Sequence, residues 1–456
     1  MNTLIAITGL GVLCLLLEIL NVRKAIVPIA LAGLAATLGL TWSEFGMTEA
    51  YYNDMIITDK FGMSFSMLFI VLTMFLIAMA ADFYKEHSSR ISDYISLKIF
   101  LLAGAVAMVT FGNMAMFFLG IEILSITLYV LAASDRLNVR SNEAGMKYFL
   151  MGSFASGIIL FGIALIYGAT GSFNVAEIFE LSKSELIPQW FYLGMIMLVV
   201  GMLFKVAAVP FHFWAPDVYE GSPALSTATM STLAKVTAMA TLYKLIAGLN
   251  AEPWLALDWV LGTVCVASML VGNFMALRQD NVKRMLAFSG ISHAGIMLMA
   301  LFTPGYSASS LLYYAAAYSF SGIAAFAVVL YVCRDQKDEH IINFDGLAKN
   351  NPLMAAILSG AMLSMAGIPI FAGFFAKFML FNQAIEAGYL AIVLVAVVTS
   401  IVSVGYYFKL ILAMYTRQPS QANRPVPFVL SAVAIVSMLA IVALGIYPEW
   451  LTGLLG

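Results

Sequence analysis

Apolar runs of about 20 residues, parted by short polar stretches, recur along the whole chain, and each is close to the length a helix needs to cross a bilayer. They lie near 3–20, 25–42, 63–81, 95–111, 113–133, 145–168, 189–213, 223–249, 256–276, 285–303, 308–333, 352–383, 387–414 and 428–447. The longest stretches between them, 43–62, 169–188 and 334–351, leave no room for a separate soluble domain. The pattern predicts an all-α polytopic membrane protein with about fourteen transmembrane helices, a single membrane domain over 1–456.

Composition makes the surrounding lipid explicit. Of 456 residues, 62% are hydrophobic and 11% charged, with mean hydropathy +0.94; a soluble protein carries roughly 25% charged residues. The net charge of −2 is uninformative, but its distribution is not. Alternate loops carry Arg23 and Lys24; Lys85 and Arg90; Arg136 and Arg140; Arg278, Lys283 and Arg284; Arg334, Lys337 and Lys349; Arg417 and Arg424. The other loops hold Lys60 and Lys183 among Glu44, Glu49, Asp54, Asp59, Glu177, Glu180 and Glu185. Fourteen basic residues against two is a positive-inside bias that puts both termini on the non-cytoplasmic side. Trp42, Trp190, Trp254, Trp259 and Trp450 fall at the outer ends this implies, as an interfacial belt would. No small-residue cleavage site follows the first apolar run, which is read as a retained span. Cys14, Cys265 and Cys333 are far apart, without the spacing of a disulfide, zinc or iron–sulfur site. No phosphate-cradling glycine loop or nucleotide fingerprint occurs, so ATP-driven transport and direct nucleotide binding have no support, and no nucleic-acid partner is expected.

One stretch departs from the apolar pattern: MLFKVAAVPFHFWAPDVYEGSP at 202–223. It starts as a membrane helix, carries Lys205, and meets Pro210, which removes a backbone donor and clashes with the preceding turn. The helix is expected to kink or break there. Broken helices at membrane depth are tolerated only where protein or water surrounds the freed backbone groups. A second interruption stands at 361–378, where Gly367, Pro369 and Gly373 precede Lys377. Interrupted spans in corresponding halves point to an inverted repeat with ion sites at the breaks.

The charges left inside spans are the candidate chemistry. Glu122, Lys205, Lys235 and Lys377 sit deep in apolar runs, where a charge costs on the order of 3 kcal/mol or more and faces the bundle interior. Glu122 and Lys205 are expected as a pair on adjacent helices. One such pair is as well explained as a structural lock between helices. Three lysines against one acid fit a lock poorly and fit a proton relay, because a desolvated lysine gives up its proton readily. Glu143 and Lys147 are spaced i,i+4 at the start of the sixth run, which also suits a plain helix-start ion pair. His293, among Ser289, Ser292 and Gly295, has the chemistry to pass protons and equally suits a hydrogen-bonded packing role. Lys244 and Lys409 stand near span ends and are expected to snorkel to the interface.

At these residues a family resemblance enters. FKVAAVPFHFWAPDVYEGSP, followed by ALRQDNVKRMLAFSGISHAG, resembles the antiporter-like membrane subunits of respiratory complex I, which are also similar to subunits of Mrp-type sodium/proton antiporters. It covers the chain from about the third span to the last. Sister subunits usually show a PDAH-type sequence where Asp217, Val218 and Tyr219 stand. One sister carries a long lateral helix that is absent here, and another has glutamate at the position of Lys377.

The resemblance implies two inverted five-helix repeats, spans 4–8 (95–250) and 9–13 (251–415), after leading helices (1–94) and before a trailing one (416–456). It implies that Glu122 and Lys205 form the family's charged pair, with Lys235 as the connecting lysine and Lys377 in the exit half-channel. Glu143 and Lys147 match an EAGxKYF pattern. It further implies a multi-pass protein of the bacterial inner membrane, partnered by other membrane subunits of complex I. No cofactor is then expected in this chain; FMN, iron–sulfur clusters and quinone would belong to partner subunits of the NADH–quinone oxidoreductase. Two alternatives remain open, a subunit of an Mrp-type cation/proton antiporter and a membrane scaffold whose charges only fix helix packing.

Overall fold

The computed structural model describes residues 1–455 except 84–87, 185, 249–254, 304, 337, 421 and 423. Lys85, Glu185, Trp254, Lys337 and the last residue of the span expected at 223–249 therefore lie outside the described residues. The helices are α1 Asn2–Ile19, α2 Arg23–Ser43, α3 Lys60–Phe83, α4 Ser88–Thr110, α5 Met114–Ala132, α6 Val139–Thr170, α7 Val175–Ser182, α8 Trp190–Val206, α9 Trp214–Gly221, α10 Ala224–Thr229 and α11 Lys235–Gly248. They continue with α12 Leu255–Leu277, α13 Val282–Met297, α14 Ala308–Val332, α15 Leu347–Asn350, α16 Pro352–Ala366, α17 Ala372–Glu386, α18 Leu390–Thr416, α19 Phe428–Ile446 and α20 Glu449–Thr452.

Among the described residues, eleven helices are long and apolar enough to cross a membrane: α1 to α6, α12, α13 with its 3₁₀ extension, α14, α18 and α19. The other three expected positions hold interrupted helices: α8 then α9, α16 then α17, and α10 joined to α11 by a π turn over Met230–Ala234. The long loops are less plain than expected. Residues 43–62 contain a β-hairpin, β1 Glu49–Tyr51 against β2 Ile56–Thr58, with Ala50 opposite Ile57. Three residues are too short to show an alternating pattern in the sequence.

Asparagine starts many of these helices. Asn113, Asn138, Asn174, Asn281 and Asn351 each accept a hydrogen bond from a first-turn N–H of the helix that follows, satisfying a donor that the helix itself cannot. Three of these caps, Asn113, Asn174 and Asn281, belong to a construction that occurs twice. Met114 N–H donates to the Phe173 carbonyl while Val175 N–H donates to Gly112; Val282 N–H donates to Glu339 while Ile341 N–H donates to Asp280. The start of the fifth span is thereby tied to the loop before the seventh, and the start of the tenth to the loop before the twelfth. They are equivalent positions in the two five-helix repeats that the family resemblance implies.

The two breaks are also built alike. At the end of α8, Ala207 N–H donates to Phe204 and Ala208 N–H to Leu203; at the end of α16, Gly367 N–H donates to Ser364 and Ile368 N–H to Leu363. Both helices end in a left-handed residue, Ala207 at φ 59° and Gly367 at φ 87°, a Schellman-type stop that satisfies the last carbonyls. Proline explains the positions. Pro210 would clash with the Val206 carbonyl and Pro369 with that of Met365 if the helices ran on, and α8 and α16 end at Val206 and Ala366. Around these breaks α13 and α14 are almost wholly buried, and α10 and α11 run through the centre, packed against α3, α4, α5, α8 and α14.

Candidate functional site

Lys205 stands in the last turn of α8, and its Nζ donates to Ser125 Oγ at 2.7 Å, Ser156 Oγ at 3.3 Å and Tyr129 OH at 3.5 Å. Ser125 and Tyr129 come from α5 and Ser156 from α6. Gly152 makes room for this cluster, because a Cβ there would stand 2.1 Å from the Tyr129 hydroxyl. The expected Glu122–Lys205 contact is not formed. No carboxylate oxygen of Glu122 lies within ion-pair distance of the ammonium; the nearest group of that helix is Ser125, one turn on. Glu122 Oε1 is buried without a hydrogen-bond partner. The physical reason is the packing: α6 lies against both α5 and α8, and its Ser156 shares the ammonium that a direct pair would have used. Glu122 still acts on Lys205 electrostatically.

Lys235 follows the π turn directly and is buried, with no hydrogen-bond partner for Nζ. A π turn adds a residue to the local helix and so re-aims the side chains after it. The ammonium and the Tyr318 hydroxyl converge on Gly290: a Cβ built there would lie 2.7 Å from Lys235 Nζ and 2.9 Å from Tyr318 OH. Between Lys205 and Lys235 lies an aromatic column. Tyr129 packs edge-on to Tyr148 with centroids 4.9 Å apart, Tyr148 stacks on Trp214 at 4.5 Å, and Trp214 meets Tyr219 at 6.3 Å. Lys235 Nζ lies 5.9 Å from the Tyr219 ring centre.

His293 stands about one helical turn from Gly290, where the Lys235 ammonium and Tyr318 converge, and lines a cavity with Ala376, the neighbour of Lys377. Its Nδ1 is 2.7 Å from Tyr314 OH and its Nε2 is 3.3 Å from Tyr407 OH; Tyr407 in turn bonds Ser289. A cavity of about 10 Å³ opens beside it, lined among others by Tyr318, Ser321, Ser364, Gly373 and Ala376, near the space one water needs. Ala376 precedes Lys377, whose Nζ donates to the Ala366 carbonyl at 2.9 Å and to Ser400 Oγ at 3.3 Å. The ammonium therefore sits on the C-terminal end of the half-helix α16, where the unpaired carbonyls favour positive charge. Tyr314, Tyr318 and Tyr407 were missed in the sequence. Tyr314 and Tyr318 stand about one helical turn apart in α14, and that spacing is the available signal.

At one end of the bundle the charges form a network. Lys147 pairs with Glu143 at 2.8 Å and Asp217 at 3.3 Å, and Arg284 pairs with Asp217 at 2.7 Å and Glu220 at 2.9 Å. The helix-start pair read from the sequence is thus part of a lattice that ties α6 and α9 to α13. Burial pushes the Asp217 carboxyl up, but hydrogen bonds from Arg284 and Lys147 outweigh it and hold the group below its ordinary value. Lys283 pairs with Glu339 at 2.8 Å and donates to the Ser222 carbonyl at 2.7 Å, in the wall of a cleft of about 650 Å³. Lys244 bonds groups at the span ends, Asp59 just before α3 at 3.2 Å and the Val109 carbonyl in the last turn of α4 at 2.7 Å. Lys409 bonds Asp280 at 2.7 Å.

The chain matches the family described as "NADH:quinone oxidoreductase/Mrp antiporter, TM" over residues 112–403. It is 65% identical to NADH-quinone oxidoreductase subunit N of Flavobacterium johnsoniae over 462 residues, covering all of both chains. A chain of the respiratory complex I of Thermus thermophilus superposes with TM-score 0.86 at 30% identity, over 99% of this chain and 98% of that one. A chain of the Mrp complex of Dietzia has the same fold, with TM-score 0.86 at 23% identity over 99% and 94%.

Proposed function

Because the chain belongs to the NADH:quinone oxidoreductase/Mrp antiporter family of membrane subunits, on its subunit N branch, we propose that it moves protons through a line of lysines and polar side chains. It is a membrane subunit of an NADH–quinone oxidoreductase. Electrons pass from NADH through FMN and iron–sulfur clusters to quinone in partner subunits, and this chain carries no redox chemistry. The observation that carries the reading is the placement of Lys205 and Lys377 at two matching helix breaks, with Lys235, Tyr318, His293 and a water-sized cavity between them.

Each residue has a defined task in this line. Lys205 holds a proton among three hydroxyls, and movement of Glu122 toward or away from it changes how well that charge is compensated. Lys235, next along, has no competing partner. His293 with its two tyrosines bridges to Lys377, whose proton rests on the α16 carbonyl end. The aromatic column between Lys205 and Lys235 interposes stacked rings, and the Trp214 N–H at its middle is held by the Phe204 carbonyl, so that step is the natural gate. In this reading both termini lie on the non-cytoplasmic side, which the loop charges support, and the two repeats span 95–250 and 251–415, which the repeated loop ties support.

Purification of the native complex tests the assignment. Flavin and iron–sulfur absorbance co-purifying with this chain is expected, whereas a complex without either chromophore would favour the antiporter reading. A second outcome concerns the first break. Pro210→Ala removes the clash with the Val206 carbonyl, lets Ala207 return to the helical conformation an L residue prefers, and is expected to insert normally. NADH-driven proton uptake by vesicles of the assembled variant should fall several-fold, on the order of 1 kcal/mol or more in the barrier. Wild-type uptake would show that the break serves no function.

A further inference from the structure

Asn273 lies in α12, outside the line of residues described above, and its side-chain amide is fully engaged. Nδ2 donates to Ser292 Oγ of α13 at 2.7 Å and to the Met269 carbonyl one turn back at 2.8 Å, while Oδ1 accepts from Tyr406 OH of α18 at 3.0 Å. One side chain thus joins three helices. Ser292 immediately precedes His293, and Tyr406 immediately precedes Tyr407, whose hydroxyl meets His293 Nε2 at 3.3 Å. Asn273 therefore holds the chain neighbours of both members of that contact.

The packing around it leaves little play. A Cβ at Gly272 would stand 2.6 Å from the Ser292 nitrogen and 2.8 Å from the Phe288 carbonyl oxygen, and one at Gly295 2.9 Å from the Cys265 carbonyl oxygen. Small residues let α12 and α13 approach backbone to backbone, which brings the Asn273 amide within reach of Ser292. α18 packs on α12 as well, and the Tyr406 and Tyr407 rings lie 4.4 Å apart, so a shift of one carries the other. At 3.3 Å the His293–Tyr407 contact is at the long end of the hydrogen-bond range, and a small slip between α13 and α18 breaks it. The His293–Tyr314 contact, at 2.7 Å, tolerates more.

This cluster holds rather than conducts. Asn273, Ser289, Ser292, Tyr406 and Tyr407 are all buried, and their polar groups bond one another or their own helix. An amide also has fixed donor and acceptor ends, whereas a hydroxyl turns to donate or to accept. The Tyr407 hydroxyl therefore suits either form of neutral His293: it donates to a bare Nε2 and accepts from an Nε2–H.

We propose that Asn273 is a positioning residue for proton hand-over at His293, setting the register of α13 against α18 at which the Tyr407 hydroxyl meets Nε2. A proton taken up at one ring nitrogen leaves from the other, so the imidazole ends neutral with its N–H moved across the ring. The hydroxyl at Nε2 turns to match each form; without it, Nε2 is left buried and unpaired, which costs the hand-over. The inference rests on the proton-moving function proposed above.

The test reads protons taken up per electron by sealed vesicles with NADH, with assembly of each complex verified. Tyr406→Phe keeps the ring and removes only the hydroxyl that reaches Asn273; Asn273→Leu keeps the bulk and removes both clamps. Each should lower the ratio by about two-fold or more, modest beside the roughly 10²-fold that a misplacement of about 1 Å costs. Asn273→Asp should restore most of the ratio, because a carboxyl buried there stays neutral, accepts from Tyr406 and donates to Ser292. Adding Tyr407→Phe to Asn273→Leu should cost nothing beyond Tyr407→Phe alone, since Asn273 acts through that hydroxyl. Normal ratios in Tyr406→Phe and Asn273→Leu beside a lowered one in Tyr407→Phe overturn the role of Asn273 alone. Losses that add, or an Asn273→Asp complex as impaired as Asn273→Leu, overturn it too, because packing is then all that Asn273 provides. Should Asn273→Leu fail to assemble, Tyr406→Phe decides by the same ratio, lowered in support and normal against. Normal ratios in every variant, Lys377→Ala included, overturn the proton-moving function as well.

Discussion

Glu122→Gln and Lys205→Met are each expected to abolish most NADH-driven proton uptake, by about ten-fold or more, and the double variant to lose less than the two losses combined. The two side chains are not in contact, so their coupling passes through the Ser125 turn and through the field of one charge on the other. Removing Lys205 strands Ser125, Ser156 and Tyr129 around an empty donor position and leaves Glu122 as an uncompensated charge at membrane depth. Removing Glu122 leaves the ammonium with hydroxyls alone. Each single change therefore costs more than the interaction itself, and the double change removes the stranded charge. A coupling of about 1–3 kcal/mol in the cycle is the expected size for groups in one network. Strictly additive losses in intact complexes would show that the pair does not act together.

Much of this arrangement was legible in the sequence. Runs of about 20 apolar residues give the spans because lipid offers backbone groups no partners, so each crossing segment must be a helix. Proline gives the breaks because its ring excludes the carbonyl four residues back, and Val206 and Met365 stand at that distance from Pro210 and Pro369. The deep charges stand out because little else in these runs is polar. What the sequence did not carry was partner choice. That Lys205 reaches Ser125 and Ser156 rather than Glu122 depends on α6 lying between α5 and α8, a packing fact without a local signature. That Lys147 joins Asp217, and Asp217 joins Arg284, depends on three helices far apart in the chain. The hairpin at 49–58 is too short for a period to show. Tyr314 and Tyr318 carry no local mark, since a tyrosine in an apolar run is ordinary.

The second large effect concerns Lys377, where a relay and a scaffold differ most. A scaffold needs only positive charge on the carbonyl end of α16, which the guanidinium of arginine also supplies. A relay needs a group that takes up and releases a proton, which arginine does not do in proteins. Gly367 closes one side of the site, with a Cβ there standing 3.1 Å from Lys377 Cδ, so the broader head of arginine must settle toward Ser400. Lys377→Arg is expected to insert and assemble with charge retained, yet to lose proton transfer by about ten-fold or more, as Lys377→Ala does.

The most direct measurement of the central claim is NADH-driven proton uptake by sealed vesicles carrying the Lys377→Arg complex, with assembly verified in the same preparation. Uptake near the level of Lys377→Ala is the result expected of a proton-carrying lysine. Wild-type uptake by an intact Lys377→Arg complex would contradict it and leave Lys377 as a fixed charge on a helix end.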